Sequence, residues 1–349
     1  MRRPVIEAAA DAAFEAASTA IRAGRIPGAV LGIVSRGGAR AVRFAGAAQI
    51  VPERAPIRRE TIFDLASLTK VIFTTTTVLE LVDRGLISLD DPLTRAIPDL
   101  RQYNVDAVER TLTFRDCLTH RTHLPAVEPL YTYGQEPRTL RAFVLQREWR
   151  PGPPVYSDIN FILLGIALER LTGKALGDLL LHDGFSFTPD PALCAATEHC
   201  SWRGRVLKGE VHDENAFALG GASGHAGLFG TVDAVLSFAA SLINGTGLSQ
   251  QGLREIQSLA HGHRTVGWEA AHQGWSGGDK CPDETIGHTG FTGTGLWIDF
   301  ARGLAWTLLT NRVHPTRHVE TGIAELRRET SDRLMVCWSE SCIRAERES

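Results

Sequence analysis

The sequence predicts an α/β (α+β) fold in which one sheet is assembled from both ends of the chain, flanked by N- and C-terminal helices, with an inserted all-helical domain. Three observations predict it. An amphipathic stretch and two branched apolar runs open the chain; helical periodicity between Pro- and Gly-rich loops fills the middle; strand-like runs and a further amphipathic stretch close it. With 349 residues, 43% hydrophobic and 22% charged, the chain can bury such a core in one or two domains.

Residues 5–23 are Ala-rich, carry Ile6, Phe14, Ala17 and Ile21 on one side and stop at Gly24, which predicts a helix. An apolar run over 29–34, interrupted by Arg36, Gly37 and Gly38 and resumed over 41–45, reads as a hairpin. The next apolar period starts near Ser67, passes through Val71, Val78, Leu79 and Val82 and ends at Gly85, predicting a helix. Thr113 with Asp116 three residues on has the form of a capping box and predicts a second long helix. Strand-like runs at 265–268, 285–288, 295–300 and 304–310 precede an amphipathic helix over 318–338. The expected organisation is a sheet domain from residues 1–75 together with 262–349, and a mostly helical domain over 76–261.

A formal net charge of -3 leaves no excess of Lys and Arg for a phosphate backbone or an anionic membrane. Neither nucleic acid nor membrane is an expected partner; a small-molecule substrate is. Glu7 and Asp11 interrupt the apolar stretch that an export signal beginning at Arg2 and Arg3 would need. No run approaches the roughly 18 uncharged apolar residues of a membrane span. A cytoplasmic location is the expectation. The six cysteines, Cys117, Cys194, Cys200, Cys281, Cys337 and Cys342, include no C-x-x-C pair and are read as reduced thiols. Glu198, His199, Cys200, His212, Asp213 and Glu214 fall in one short stretch, but their spacing fits no zinc pattern, and polar loops are the expectation. No metal and no cofactor are expected.

Ser67-Leu68-Thr69-Lys70 places a hydroxyl and an amine at i and i+3, one face of a helix. A serine hydroxyl is a weak nucleophile until a base takes its proton, and burial beside a helix N-terminus pushes a lysine toward its neutral form. The pair alone is equally an ordinary helix start. Tyr156-Ser157-Asp158 follows the tight loop Pro151-Gly152-Pro153-Pro154 and precedes an apolar helical stretch, where a phenol can project into a cleft or pack in the core. His288-Thr289-Gly290 ends a strand-like run, and the glycine-rich turn after it allows close backbone approach.

In this order and at these separations, the three patterns resemble those of the penicillin-binding protein and class C β-lactamase superfamily of serine hydrolases. The resemblance spans nearly the whole chain, from Phe63-Asp64-Leu65-Ala66-Ser67 through Tyr156-Ser157-Asp158-Ile159-Asn160 and Gly224-His225-Ala226-Gly227-Leu228-Phe229 to Leu309-Thr310-Asn311-Arg312. It implies an antiparallel sheet, an inserted helical domain and an active site between them. It also implies that Ser67 forms an acyl-enzyme, Lys70 deprotonates it and Tyr156 relays protons. His288, Thr289, Gly290, Phe291, Asp158 and Asn311 become substrate-binding or electrostatic positions. The resemblance places the oxyanion hole at the N–H groups of Ser67 and Phe291, and a substrate carboxylate near Asn311 and Arg312, with capping of the sheet end the alternative for Asn311.

Two departures bear on specificity. Many members have Asn where this chain has Asp158, and an ionised carboxylate cannot donate to a substrate carbonyl. A common Leu-Thr-His-Thr-Ser-Gly loop reads Leu118-Thr119-His120-Arg121-Thr122-His123 here, putting bulkier residues beside the expected cleft. Gly274-Trp275-Ser276-Gly277-Gly278 matches the G-x-S-x-G elbow but lacks the strand before and the helix after. Glu128 precedes the tyrosine motif, the wrong order for a deacylating base. The favoured reading is a hydrolase of small esters, amides or β-lactam-like compounds. The alternatives are a D-amino-acid peptidase of the D-Ala-D-Ala carboxypeptidase kind, suggested by His288, and a non-catalytic binding protein.

Overall fold

The strand Gly28–Ser35 (β1) is buried at all eight positions. Successive side chains of a strand point to opposite faces, so such a strand must be covered on both. The computed structural model describes residues 2–134, 136–179 and 182–347, and the side chains of 5–340 among them. In chain order its main elements are α1 (Arg2–Arg22), β1, β2 (Arg40–Gln49), β3 (Ala55–Pro56), α2 (Thr76–Asp83), α3 (Asp158–Thr172), α4 (Val232–Ile243), β4 (Glu269–Ala270), β5 (Ile286–Thr289), β6 (Gly295–Asp299), β7 (Leu304–Thr310) and α5 (Ile323–Arg347).

The seven strands form one antiparallel sheet in the order β3-β2-β1-β7-β6-β5-β4. β1 pairs with β7, Ala29 opposite Thr310, so the two ends of the chain meet at the middle of the sheet. Ala29, Leu31 and Ile33 join Trp297, Trp306 and Leu308 on the face covered by α1 and α5. Val30 and Val34 join Leu296, Ile298 and Leu309 on the other face, in a core that continues through Val232 and Leu236 of α4 into the helical part of the molecule. Gly32 is required by that second cover: a Cβ there would lie 2.5 Å from Val232 Cγ2. The β1–β2 hairpin turns through Gly37 and Gly38, both at positive φ.

The fold is mixed helix and sheet, as the sequence predicts, and several elements differ in extent. The capping box forms, with Thr113 and Asp116 reciprocally bonded, but the helix after it covers only Phe114–Leu118, because His120 adopts φ 56 and cannot continue it. The run at 265–268 is not a strand: Gly267 turns at φ +82 against Thr75, whose Oγ1 would lie 2.3 Å from a Cβ, and pairing starts only at β4. The last helix starts at Ile323, past Gly322 at φ 67, rather than at 318. The stretch 76–261 also holds the strand pair Ala196–Cys200 and Arg205–Lys208. The five cysteines whose side chains are described are free thiols; Cys342 lies outside those side chains. No helix among the described residues is long and apolar enough to cross a membrane.

Gly32→Ala should overpack the β1–α4 contact and destabilise the protein by about 1–3 kcal/mol. The check is a lowered urea midpoint at unchanged m-value; an unchanged midpoint would show that α4 is not held against β1.

Candidate active site

Ser67 sits in the turn between the short strand Phe63–Asp64 and the helix that leads into α2. The residue before it, Ala66, adopts φ 47, a left-handed conformation that is costly for a residue with a Cβ. Neighbouring bonds hold it there. The buried Asp64 carboxyl accepts from Ala66 N at 2.8 Å and from His212 N at 2.7 Å. Thr69 Oγ1 donates to Ala66 O at 2.6 Å and accepts from Leu228 N at 3.1 Å. From the β5–β6 turn, Thr292 and Thr294 donate to Asp64 O and Leu65 O at 2.8 and 3.0 Å. Gly290 has no room for a side chain, since a Cβ would come 2.5 Å from Leu65 O. The Ser67 and Phe291 N–H groups donate to no protein acceptor among the described residues and are free for a ligand.

The first turns after Ser67 are π-helical, Lys70–Thr75, with Thr75 Oγ1 donating to Lys70 O at 2.7 Å. Lys70 is fully buried. Its ammonium donates to Ser67 Oγ at 2.9 Å and His225 O at 3.0 Å, and is ion-paired with Asp158 Oδ1 at 2.8 Å. Burial alone would pull its pKa down, as the sequence reading assumed. The Asp158 carboxylate and Tyr156 outweigh burial and hold the group above the ordinary lysine value, so the resting side chain is an ammonium. Sequence reasoning missed this because Asp158 is remote from Lys70 in the chain.

Tyr156 and Asp158 flank the N-terminus of α3, and the Lys70 ammonium lies 5.1 Å from the Tyr156 ring centroid. The phenol interacts with both Lys70 and Ser67; burial raises its pKa, so it is a protonated donor at rest. His120 and His288 pack on it, at centroid distances of 4.5 and 5.8 Å. Ser157 N donates to His120 Nδ1, placing that ring's proton on Nε2. His288 Nδ1 donates to Thr289 O at 3.0 Å, leaving Nε2 as an acceptor. Burial, with the nearby cations Lys70 and Arg264, holds both imidazoles neutral, well below the ordinary histidine value. His288 therefore does not titrate near neutral pH.

A cavity of about 470 Å³ brings together Ser67, Tyr156, Asp158, His288 and Thr289, with half-exposed Phe291 on its rim. Asn311 is not part of it: its buried amide donates to the carbonyls of Ala47 and Ala48 and ties the sheet end together. Arg312 bonds Phe291 O at 2.9 Å instead of lining the cavity. The 121–123 loop does not intrude either. Thr122 donates to Asn160, and His123 is bonded to Gly152 O at 2.7 Å.

Among the lining residues that carried no motif signal are Arg264, Asp213 and His212. Arg264 lies 5.4 Å from the Tyr156 ring centroid, and its one ion pair among the described residues, to Glu269, is a loose 3.9 Å. Asp213 accepts from His225 Nε2 at 2.9 Å, and His225 Nδ1 meets Ser223 Oγ at 2.9 Å. Asp158, Asp213 and His225 bring possible ligand atoms within 4.8 Å of one another, but the Lys70 ammonium already supplies the cation beside Asp158. Glu198, His212 and Glu214 are engaged with one another or with Arg317, which bridges both glutamates at 2.6 Å. Ser276 of the G-x-S-x-G match lies in a loop and accepts from Trp297 Nε1, on the sheet face under α1 and α5.

A family profile described as Beta-lactamase matches residues 10–329. An N-acetylmuramyl-L-alanine amidase of Bacillus subtilis is 29% identical over 82% of this chain and 78% of its own length. A Salmonella typhimurium protein provisionally named D-alanyl-D-alanine carboxypeptidase is 30% identical over 74% of this chain and 72% of its own. The crystal structure of a class C β-lactamase from Rhodobacter sphaeroides superposes with a TM-score of 0.72 at 20% identity, covering 93% of this chain and 99% of that one. The profile match, the 30% identical relative and the antiparallel sheet beside a buried Ser67–Lys70 pair agree: this chain belongs to the β-lactamase family.

Proposed function

We propose that the chain is a serine hydrolase that opens small esters, amides or β-lactam-like substrates through an acyl-enzyme on Ser67. The observation that carries this reading is the 2.9 Å contact between Lys70 Nζ and Ser67 Oγ, in a cavity with two unoccupied backbone donors. Ser67 Oγ attacks the acyl carbon, and the oxyanion is received by the N–H groups of Ser67 and Phe291. The serine proton goes to Lys70, which first gives one of its own to Asp158 across their 2.8 Å contact once substrate excludes water. Tyr156 gives its phenolic proton to the departing group and is reprotonated by Lys70. Water then cleaves the ester at Ser67, with the same groups working in reverse. His288, neutral, offers Nε2 as an acceptor that orients Tyr156 or the substrate.

Asp158 gives this site a different charge from one with Asn at that position: the Lys70–Asp158 pair is neutral as a unit, and its amine is freed only by proton transfer within the pair. A second reading is supported by Arg264. A guanidinium in the cavity whose one carboxylate partner among the described residues is loose suits a substrate carboxylate on the leaving-group side, beside Tyr156. That fits a peptide with a free C-terminus, the substrate class suggested by the name of the Salmonella relative.

Intact-protein mass spectrometry after fluorophosphonate treatment should show one adduct on the wild type and none on Ser67→Ala; equal labelling of both would end the serine mechanism. Asp158→Asn removes the charge that keeps Lys70 protonated, so burial dominates and the lysine pKa falls. Because the wild-type pair frees its amine without losing a proton to solvent, kcat/KM against pH for a p-nitrophenyl ester should gain in the variant a rising limb set by Lys70 that the wild type lacks. The same limb in both proteins would show that Asp158 does not take the Lys70 proton. Arg264→Gln should raise KM about 10-fold or more for D-Ala-D-Ala peptides while leaving KM for neutral esters unchanged. Equal effects on both substrates would remove its carboxylate-binding role.

A further inference from the structure

Arg327 of α5 is buried at 8% exposure and makes no ion pair with any described residue. Its Nη2 donates to Gly290 O and Thr294 O, each at 2.7 Å, and its Nε has no partner. Burial lowers its pKa to about 9, with like-charged Arg312 pushing the same way, and it remains a cation at neutral pH. A buried cation without a carboxylate is expensive, and two carbonyl dipoles are a modest offset.

The position of those carbonyls gives the charge a use. Gly290 C=O and Phe291 N–H belong to one peptide unit, and amide resonance couples them: a donor on the oxygen withdraws electron density from the nitrogen and makes its N–H a stronger donor. The same peptide lies against the nucleophile turn, since a Cβ on Gly290 would sit 3.2 Å from Ala66 Cβ. Bonds from Gly290 N to Thr294 O and from Gly293 N to Gly290 O close the turn, and Arg327 holds both of its carbonyl ends. Two other cations lie beside Phe291: Arg317, whose charge is taken up by Glu198 and Glu214, and Arg312, which donates to Phe291 O, the carbonyl of the following peptide unit.

We propose that Arg327 is a positioning residue of the oxyanion hole, fixing and polarising the Gly290–Phe291 peptide and placing unneutralised positive charge behind the Phe291 N–H. The proposal rests on the acyl-enzyme reading above and concerns the stabilisation of the tetrahedral oxyanion, with no contact between Arg327 and substrate.

The test compares wild type, Arg327→Gln and Arg327→Lys, after fluorophosphonate labelling has shown whether wild-type Ser67 is acylated. For a p-nitrophenyl ester, Arg327→Gln should lower kcat about 10- to 100-fold, less than the loss of a whole oxyanion donor, with KM little changed. Affinity for phenylboronic acid, which forms a tetrahedral adduct, should fall in parallel. The carbonyl stretch of a trapped acyl-enzyme should move to higher wavenumber as the polarising donor weakens. Arg327→Lys keeps the charge but not the two-carbonyl fork, and should fall between the two. If Arg327→Gln does not fold, the lysine variant decides alone. A lower melting temperature with wild-type kcat, boronate affinity and carbonyl stretch would overturn the proposal and leave only a structural role. An unlabelled wild type would overturn the acyl-enzyme reading and this inference together; a labelled wild type with unchanged variants overturns this inference only.

Discussion

A buried ammonium is the constraint on which the site depends. Lys70 is wholly out of water, and a charge there persists only if every donor finds an acceptor and a counter-charge lies close. Its two acceptors come from the turn before α2 and the carbonyl of His225, and its counter-charge from the first residue of α3, segments far apart in the chain. Satisfying one side chain therefore locates three parts of the fold relative to one another. It also bears on the chemistry, since in the proposed mechanism the partner that stabilises the ammonium is the one that takes its proton. The strained Ala66 is tolerable in the same setting, because Asp64, Thr69, Thr292 and Thr294 bond the turn on both sides.

The sheet supplies the rigid half of this arrangement. Burial on both faces leaves β1, β6 and β7 little freedom to shift. The turn from β5 to β6 is therefore presented to Ser67 at a fixed height, and the missing side chain of Gly290 lets the two backbones meet. Positive charge gathers around this junction from several directions: Lys70 below the hydroxyl, Arg327 behind the turn, Arg264 beside the phenol. Burial, helped by the Lys70 and Arg264 cations, keeps His120 and His288 uncharged beside it.

The order of elements was legible because it rests on local rules. Apolar runs broken at Arg36, Gly37 and Gly38 marked the β1–β2 hairpin, Gly24 and Gly85 stopped helices, and Thr113 with Asp116 capped one. Extents were less legible. His120 at φ 56 cut a helix short, with its ring bonded to Ser157 N, and Gly267 at φ +82 turns against Thr75 where a strand was expected; both contacts are with residues distant in sequence. Among site residues, Ser67, Lys70, Tyr156 and His288 stood in recognisable patterns, and the fold brings them together. Asn311 stood in a pattern too, but its amide is consumed by backbone carbonyls. Arg264, Asp213 and Arg327 belong to no motif, because they act through space from elements whose own sequences read as ordinary.

The sequence by itself determined the fold class, the candidate nucleophile and the amine one turn beyond it, since periodicity and short-range spacing are properties of neighbouring residues. Only the tertiary structure decided the charge on that amine, the tautomers of the two histidines, the removal of Asn311 from the site and the arrival of Arg327 behind the Phe291 peptide. Those outcomes are set by burial and by Coulomb and hydrogen-bond partners that meet only when the chain folds, and a sequence does not encode them in any local pattern.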